Sequence, residues 1–350
     1  MVSFLRRRSK LTLGLDIGSG SVKAAVVDHS GPEPVLVQVG HLPLVADAIV
    51  EGEIMDPQTV VETIRAVLDS LGAGTRNVVT AVGGRDVIVK KIQMDRMPAD
   101  DAREVIRWEA EQYVPFDMAN VQLDFQILDP DADGLQMDVL LVAAKRELIE
   151  QRMQLLQDAG LPPSVVDVDA FALHNAFEFN YPDLSGGLLA LLNIGNEISS
   201  VIVLQGGVPA VTRDIPFGTR HLREDLRRRH GLSADQVDGI LHGRDVPGEE
   251  YSRLFAERAQ EVVMGIERAM AFLSVDDAVG QGLSSVHLSG GGARLPFIGD
   301  AIAERLRVRV EVANPLQRLR IDPSATMHFP ADELAPMLML PIGLALRTVA

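Results

Sequence analysis

The sequence predicts a two-lobed α/β fold with a smaller subdomain inserted into its first half. The chain has 350 residues, more than one hydrophobic core usually supports, so two lobes are expected. A strand, a Gly/Ser turn and a second strand occupy residues 11–27, and the same pattern returns at 188–204. Asp16 and Asn193 hold equivalent places in these hairpins, 193 − 16 = 177 positions apart. This offset of about half the chain indicates two half-molecules of similar plan.

The composition excludes several classes of function. A formal net charge of −16 at pH 7 repels phosphate backbones, so nucleic acid is not an expected partner. The chain has no cysteine, which rules out disulfides and zinc sites built on thiolates. No apolar run in the sequence reaches the ~18 residues of a membrane-spanning helix. We therefore expect a globular, cytoplasmic protein that is at most peripheral to a membrane.

The first ten residues are basic in an otherwise acidic chain. They carry the four cations Arg6, Arg7, Arg8 and Lys10. The segment lacks the apolar stretch and the cleavage site of a secretory signal. Two interpretations stay open: a solvated terminus, or attraction to a nearby anionic lipid surface.

Between the two hairpins, the spacing of apolar residues predicts a helix of the first lobe and then a compact insertion. The helix is expected over 56–71, since Pro57 stands near its start and Gly72 follows its end. Residues 83–160 are then expected to form one subdomain of a strand, a helix, two strands and a helix. The predicted elements of this subdomain are strands 86–92, 123–128 and 137–143 and helices 100–112 and 145–159.

The second half is predicted as a sheet interrupted by a group of helices. Helices are expected over 219–230, 233–241 and 249–273, followed by a strand at 285–288, a glycine-rich turn and a helix at 297–306. The predicted domain plan is a basic segment 1–10, a first lobe 11–82 and 161–185, an inserted subdomain 83–160, a second lobe 186–218 and 275–350, and a small helical subdomain 219–274.

The first candidate site is the turn of the N-terminal hairpin. Asp16 ends a strand, and the small residues after it let backbone N–H groups approach phosphate oxygens. A bare carboxylate would repel phosphates, whereas a hydrated divalent cation bridges both, so Asp16 is the candidate Mg²⁺ ligand through water. The candidate phosphate-binding residues are Gly18, Ser19, Gly20, Ser21 and Lys23. The alternative is an ordinary hairpin turn.

Two further turns have related chemistry. In the second, Gly195 and Asn196 repeat the pattern, but Asn193 supplies an amide, which lacks the charge that attracts Mg²⁺ and orients water. The third turn follows a strand, and its glycines let backbone approach a planar ligand. Its candidate residues are Gly290, Gly291, Gly292 and Arg294. A purely structural turn remains the alternative in both cases.

In order and spacing, these turns resemble the nucleotide-binding motifs of the actin/Hsp70/hexokinase-like superfamily. The segments that resemble its phosphate 1, phosphate 2 and adenosine motifs are Asp16-Ile17-Gly18, Asn193-Ile194-Gly195 and residues 290–296. The resemblance implies a two-lobed α/β fold with ATP and Mg²⁺ as cofactors. Asp169 occupies the place of the connecting helix's acidic residue, which implies a role in positioning water. The alternative for Asp169 is a helix N-cap.

Within this superfamily, two segments of the insertion resemble the PilM family of type IV pilus assembly proteins, which is related to FtsA. They are residues 107–116, RWEAEQYVPF, and residues 143–147, AAKRE. The resemblance implies an actin-like scaffold at the inner face of the cytoplasmic membrane. Its implied partners are the cytoplasmic tail of a PilN-like inner-membrane protein, held near the insertion, and components of the pilus motor. Trp108 of the first segment is expected to anchor the subdomain core.

The same resemblance implies weak catalysis. Asn193 replaces the usual phosphate 2 carboxylate, and Asp169 is one methylene shorter than the glutamate common at its place. ATP hydrolysis at these two candidate catalytic positions is therefore expected to be slow or absent. Two alternatives stay open, a small-molecule or sugar kinase of the same fold and an FtsA-like division protein. The sequence is compatible with a monomer and with a homo-oligomer.

Overall fold

The computed structural model describes residues 10–348 except 73–76, 131–132, 185, 242–243, 246–247, 274–281, 296 and 327–333. The chain divides into two units. Unit 1 comprises Met1–Ala81, Met153–Pro182 and Ala313–Ala350, and unit 2 comprises Val82–Arg152 and Asp183–Val312. The basic segment predicted at 1–10 lies outside the described residues, apart from Lys10.

Strands and helices occur close to the predicted positions. The described strands are β1 (Leu11–Ile17), β2 (Ser21–Asp28), β3 (Val35–Pro43), β4 (Ile49–Val50), β5 (Glu53–Ile54), β6 (Asn77–Val82), β7 (Val87–Asp95), β8 (Val121–Ile127), β9 (Gln136–Lys145), β10 (Val165–Val168), β11 (Leu188–Ile194), β12 (Ser199–Gln205), β13 (Val208–Ile215), β14 (Leu283–Ser289), β15 (Arg309–Val312) and β16 (Arg320–Ile321). The described α-helices are α1 (Pro57–Ser70), α2 (Ala99–Ala110), α3 (Arg146–Asp158), α4 (Asp169–Asn180), α5 (Thr219–His230), α6 (Ala234–Leu241), α7 (Ser252–Met270), α8 (Ile298–Leu306) and α9 (Met339–Ala345). None of these helices combines the length and the apolar composition that crossing a bilayer requires.

Unit 1 is built on a six-stranded sheet in the order β10-β6-β1-β2-β3-β16. Strands β1 and β2 form the predicted hairpin, paired antiparallel from Leu11↔Asp28 to Ile17↔Val22, and β6 lies parallel to β1. Helix α1 packs on one face of the sheet, where Val60 and Ile64 are fully buried. Both faces of the hairpin are apolar, so a second layer must cover the other face.

The C-terminal helix α9 provides that second layer. A Cβ atom added to Gly14 of β1 would overlap the backbone of Pro341, and one added to Gly343 would overlap the backbone of Ala172 in α4. These close approaches tie α9 to unit 1, which includes Ala313–Ala350, whereas the domain plan predicted from the sequence has 275–350 in the second lobe. An apolar helix pattern does not specify which of two sheets the helix will cover.

Unit 2 is built on an eight-stranded sheet in the order β15-β14-β11-β12-β13-β7-β9-β8. The second predicted hairpin, β11–β12, pairs antiparallel from Leu188↔Gln205 to Ile194↔Ser199, and β14 runs parallel to β11. Apolar side chains of these strands share one core with helices α5, α6, α7 and α8. The carboxyl ends of β11 and β14 therefore lie side by side.

The predicted insertion 83–160 is divided between the two units. Its strands β7, β9 and β8 continue the sheet of unit 2 through the pair Val211↔Lys90, and α2 shares their core. The second half of α3, from Met153, belongs to unit 1, where Leu155 and Leu156 enter the core. The pairing of β7 with β13, two strands far apart in the sequence, attaches these strands to unit 2. The local sequence does not encode such a pairing.

Trp108 lies on the outer face of α2, and the prediction that it anchors the subdomain core is wrong. Its relative exposure is 71%. The buried residues Ala102, Ile106 and Ala110 define the inner face of the helix. At about 100° per residue, position 108 lies ~200° from Ile106 around the helix axis. The amphipathic period of the helix, and not the general preference of tryptophan for burial, sets its orientation.

Candidate functional site

The first turn, in unit 1, brings opposite charges together at the end of the hairpin. Asp16 and Lys23 face each other across β1 and β2, and Asp16 Oδ2 lies 2.6 Å from Lys23 Nζ. Their side chains are only 13% and 14% exposed. The turn is closed by the Gly18 N–H, which donates to the Ser21 carbonyl oxygen across 3.1 Å. An anion and a cation are thus fixed beside a backbone turn, as a site for phosphate and a metal requires.

Gly18 is a glycine that the packing of the turn does not require. A Cβ atom added there would lie 3.5 Å from the Ser21 carbonyl oxygen and 3.7 Å from Lys23 Nζ, which are ordinary contact distances. The backbone at Gly18 therefore leaves room for the close approach of a ligand.

His41 extends the same row of side chains and is not among the site residues that the sequence predicts. It stands opposite Lys23 in the register of β2 and β3. Burial lowers the pKa of His41, and the Lys23 ammonium lowers it further against an opposing effect of Asp16. A neutral imidazole avoids charge repulsion with Lys23. A single histidine in a strand belongs to no recognisable sequence motif. Only the pairing of β1, β2 and β3 shows that His41 lies beside Lys23 and Asp16.

Asp169, the candidate for positioning water, is the first residue of α4. The N-cap is Val168, which makes no side-chain capping bond, so the alternative interpretation of Asp169 as an N-cap is wrong. A carboxylate in the first turn interacts favourably with the helix macrodipole. Asp169 is half-buried and belongs to the same unit as Asp16.

The second turn, in unit 2, supports the start of helix α5. The Gly195 N–H donates to the Ile198 carbonyl oxygen across 3.1 Å and closes the turn. The carbonyl oxygens of Gly195 and Asn196 accept from the N–H groups of Thr219 at 3.0 Å and Arg220 at 2.8 Å. This turn therefore satisfies backbone donors at the N-terminus of α5, which an uncapped helix would leave open.

The third turn packs directly on the second, as the parallel neighbours β11 and β14 predict. The Gly292 N–H donates to the Ile194 carbonyl oxygen across 3.0 Å, and the Ser289 hydroxyl donates to Asn193 Oδ1 across 3.3 Å. Gly290 has a φ of 84°, and an added Cβ would lie 2.7 Å from Asn193 Oδ1. The second and third turns are therefore in direct contact within unit 2.

Packing requires glycine at some positions of the third turn and not at others. A Cβ atom on Gly290 or Gly292 would overlap Ile194, so packing requires both glycines. Gly291 and Arg294 are exposed. The structure thus separates two structural glycines from an exposed one, a distinction that the sequence GGG does not make.

A buried carboxylate beside the second turn was also missed. Glu197 is 7% exposed and accepts a hydrogen bond from Arg220 Nη1 at 2.7 Å. Arg220 Nε also donates to Glu224 Oε1 at 2.9 Å. Charge-assisted bonds of this kind fix the second turn to α5. The proximity of Glu197 and Arg220 depends on strands β12 and β13, which separate them along the chain.

The side chains of the first turn are compatible with a magnesium ion that is held largely by water and phosphate. In the described part of the chain, no three His, Cys, Asp or Glu side chains cluster as a metal cage would need. Magnesium usually keeps several waters and binds through one or two carboxylates together with phosphates. The single carboxylate of Asp16 fits that role.

The two hairpin-based sheets and their strand-end turns define an actin-like ATPase fold. The solved structure of MreB 5 of Spiroplasma citri bound to AMPPNP has the same fold, with a TM-score of 0.53 and 11% identity over 97% of this chain and 95% of that chain. Within this class, the chain belongs to the family of type IV pilus assembly protein PilM, whose family model matches residues 14–349.

Two relatives agree with this assignment. The solved PilM-PilN type IV pilus biogenesis complex contains a chain 29% identical to this one, with a TM-score of 0.82 over 98% of this chain and 99% of that chain. The cell division protein FtsA of Bacillus subtilis (strain 168) is 20% identical over 358 residues, which cover 88% of this chain and 79% of that protein. The predicted relationship to FtsA is confirmed, at a lower similarity.

Proposed function

We propose that this chain is an ATP-binding scaffold of type IV pilus assembly that works at the inner face of the cytoplasmic membrane. In this role it holds the cytoplasmic tail of a PilN-like inner-membrane protein. Family membership supports the assembly role. The geometry of the turns supports the nucleotide, and the complex of a related chain supports the partner.

The observation that carries the nucleotide proposal is the junction of the second and third turns, where the Gly292 N–H meets the Ile194 carbonyl oxygen at 3.0 Å. It leaves the exposed backbone of Gly291 beside a turn of the type that binds phosphate. We propose that Gly290, Gly291, Gly292 and Arg294 receive the adenosine part and that Gly195 and Asn196 contact phosphate. The related fold of an AMPPNP-bound protein is compatible with this assignment.

In unit 1, the first turn supplies the charges that a magnesium–phosphate group needs. Asp16 would hold Mg²⁺ through water, and Lys23 Nζ would attract phosphate oxygens. The proposed phosphate contacts of the turn itself are Gly18, Ser19, Gly20 and Ser21. When bound, the metal would neutralise phosphate charge, which is its usual contribution to nucleotide binding.

We further propose that ATP hydrolysis is slow or absent. The Asn193 amide accepts from the Ser289 hydroxyl at 3.3 Å and carries no charge with which to activate water. Asp169 is the other candidate for this role, and its carboxylate is one methylene shorter than a glutamate. Loss of a positioned acid–base group costs roughly 10²- to 10⁴-fold in rate, while binding through backbone and Mg²⁺ can persist.

The partner proposal rests on the similarity to a PilM chain solved with PilN. The 29% identity over almost the whole of both chains supports a shared mode of partner binding. We also propose that the chain contacts components of the pilus motor. The kinase alternative is not favoured, since the family model covers residues 14–349.

A binding experiment tests both parts. Calorimetry with ATP, in Mg²⁺ and in chelator, should detect binding that needs the metal. A pull-down from a panel of cytoplasmic tails of inner-membrane proteins should retain the PilN-like tail selectively. Retention of no tail would contradict the partner proposal, and ADP release that depends on an added sugar would favour a kinase.

A further inference from the structure

The outer face of α2 carries an exposed tryptophan that the fold does not use. Trp108 is the single tryptophan of the chain, and its relative exposure of 71% leaves most of the indole in water. The core of this part of unit 2 is formed from the opposite face of the helix. Tryptophan is enriched among the residues that dominate binding energy at protein interfaces, so this face is a candidate contact surface.

Carboxylates surround Trp108 on the same face. Asp101, Glu104 and Glu111 are exposed, and at about 100° per residue they lie within ~60° of Trp108 around the helix axis. Within the described residues these three carboxylates form no ion pair. We call Asp101, Glu104, Trp108 and Glu111 the α2 stripe.

The two arginines of α2 do not neutralise the α2 stripe. Arg103 Nη1 donates to Asp100 Oδ1 at 3.1 Å. The Arg107 guanidinium donates to the Met118 carbonyl oxygen, at the far end of the loop that follows the helix. Both cations are thus engaged elsewhere, and the stripe keeps a local negative charge.

The other aromatic rings of the same segment already have a cation. Lys90 Nζ lies 4.4 Å from the ring centroid of Tyr113, and Lys145 Nζ lies 4.9 Å from that of Phe116. No such contact to Trp108 is found among the described residues. Indole is the strongest cation–π acceptor of the three rings, so Trp108 and its carboxylates together form an open site for an ammonium or guanidinium group.

We propose that the α2 stripe binds the basic part of the partner tail, with a lysine or arginine stacked on Trp108 and neighbouring cations paired with Glu104 and Glu111. This inference rests on the proposed function. Cytoplasmic segments next to a membrane helix carry an excess of Lys and Arg, and that charge complements the α2 stripe. An anionic lipid surface is negative like the α2 stripe and would repel it, so a basic protein segment is the occupant.

Trp108 fluorescence is a direct probe of this surface, because no other tryptophan contributes. The probe is the cytoplasmic tail of the PilN protein from the same organism, synthesised with phenylalanine in place of any tryptophan. A second peptide has glutamine in place of the Lys and Arg residues next to the membrane helix. The full tail should change Trp108 emission on binding, and the glutamine form should bind about three- to ten-fold more weakly.

Two charge-reversal variants distinguish an effect of the α2 stripe from an effect of the overall charge of the protein. Glu104→Lys should weaken binding of the full tail about three- to ten-fold and should leave binding of the glutamine form nearly unchanged. Glu304→Lys, which makes the same change on the exposed surface of α8, is the matched control and should affect neither peptide. The advantage of the full tail should shrink at about 1 M salt, where the Debye length is ~3 Å.

Tail binding and the role of the α2 stripe can fail separately in these measurements. Equal affinity of the full tail for the parent and for Glu104→Lys, with no change in Trp108 emission, would overturn the α2 stripe as the binding surface and leave tail binding intact. Binding of neither peptide to the parent would overturn the partner proposal together with the stripe.

Discussion

The Asp16 carboxylate and the Lys23 ammonium form an ion pair of 2.6 Å across the first hairpin, with both side chains largely buried. The carboxylate that the sequence assigns to a metal thus already has a counter-charge within the protein. A phosphate near Lys23 must compete with Asp16 for the ammonium group. A hydrated magnesium ion relieves this competition, because it provides the carboxylate with another cation.

Asp16→Ala should therefore weaken ATP binding in the presence of Mg²⁺ by about ten-fold or more, the size of one lost charge-assisted interaction. Without Mg²⁺ the parent and the variant should differ less, because the freed Lys23 can then turn to phosphate. Calorimetry with and without chelator measures both quantities. Asp28→Ala, at the opposite end of the same hairpin, is the control. Equal ATP affinities for Asp16→Ala and the parent under both conditions would contradict the role of Asp16.

Gly18→Ala should leave the free energy of unfolding nearly unchanged, because the added methyl group meets only ordinary contacts. It should nevertheless lower ATP affinity, since the methyl group occupies the space above the turn. Gly195→Ala is the counterpart, because its Cβ would overlap the Ile198 carbonyl oxygen, and it should cost about 1–3 kcal/mol of stability. Denaturant unfolding measures the stability of the two variants, and calorimetry measures their ATP affinity. Undiminished ATP binding by a folded Gly18→Ala variant would mean that phosphate does not approach this turn.

Gly291→Val should damage nucleotide binding while the protein stays folded, since Gly291 is exposed and lies in the turn that we propose receives the adenosine part. Gly290→Ala should instead destabilise unit 2, because of its positive φ and the overlap with Ile194. Thermal unfolding and ATP affinity, measured for both variants, separate the two effects. A stable Gly291→Val protein with the affinity of the parent would show that the nucleotide lies elsewhere.

Asn193→Asp, alone or with Asp169→Glu, should raise phosphate release about ten-fold or more with little change in ATP affinity. The new carboxylate can still accept the bond from the Ser289 hydroxyl, so the turn should keep its structure. Gln260→Glu introduces the same charge on the exposed face of α7 and is the control for a general electrostatic effect. A steady-state phosphate assay of the four proteins provides the comparison. Rapid turnover by the parent, or turnover that falls in Asn193→Asp, would refute the interpretation of Asn193.

The sequence by itself determined the local structure of this protein. Apolar alternation specified the hairpins β1–β2 and β11–β12. Pro57 specified where α1 starts, and Gly72 and Gly231 specified where α1 and α5 stop. The order of the three turns, together with the insertion motif, was enough for the fold class and the family. Each of these features depends on residues close together in the chain, where backbone conformation and side-chain period are encoded directly.

Only the tertiary structure decided which residues meet across long separations. It joined the C-terminal helix to unit 1 through the approach of Pro341 to Gly14, and it placed His41 beside Lys23. It also distinguished the packed Gly290 from the exposed Gly291 and turned Trp108 outward. Strand register and the choice of a packing partner depend on the summed contacts of distant segments, and a residue's immediate neighbours in the chain do not contain that information.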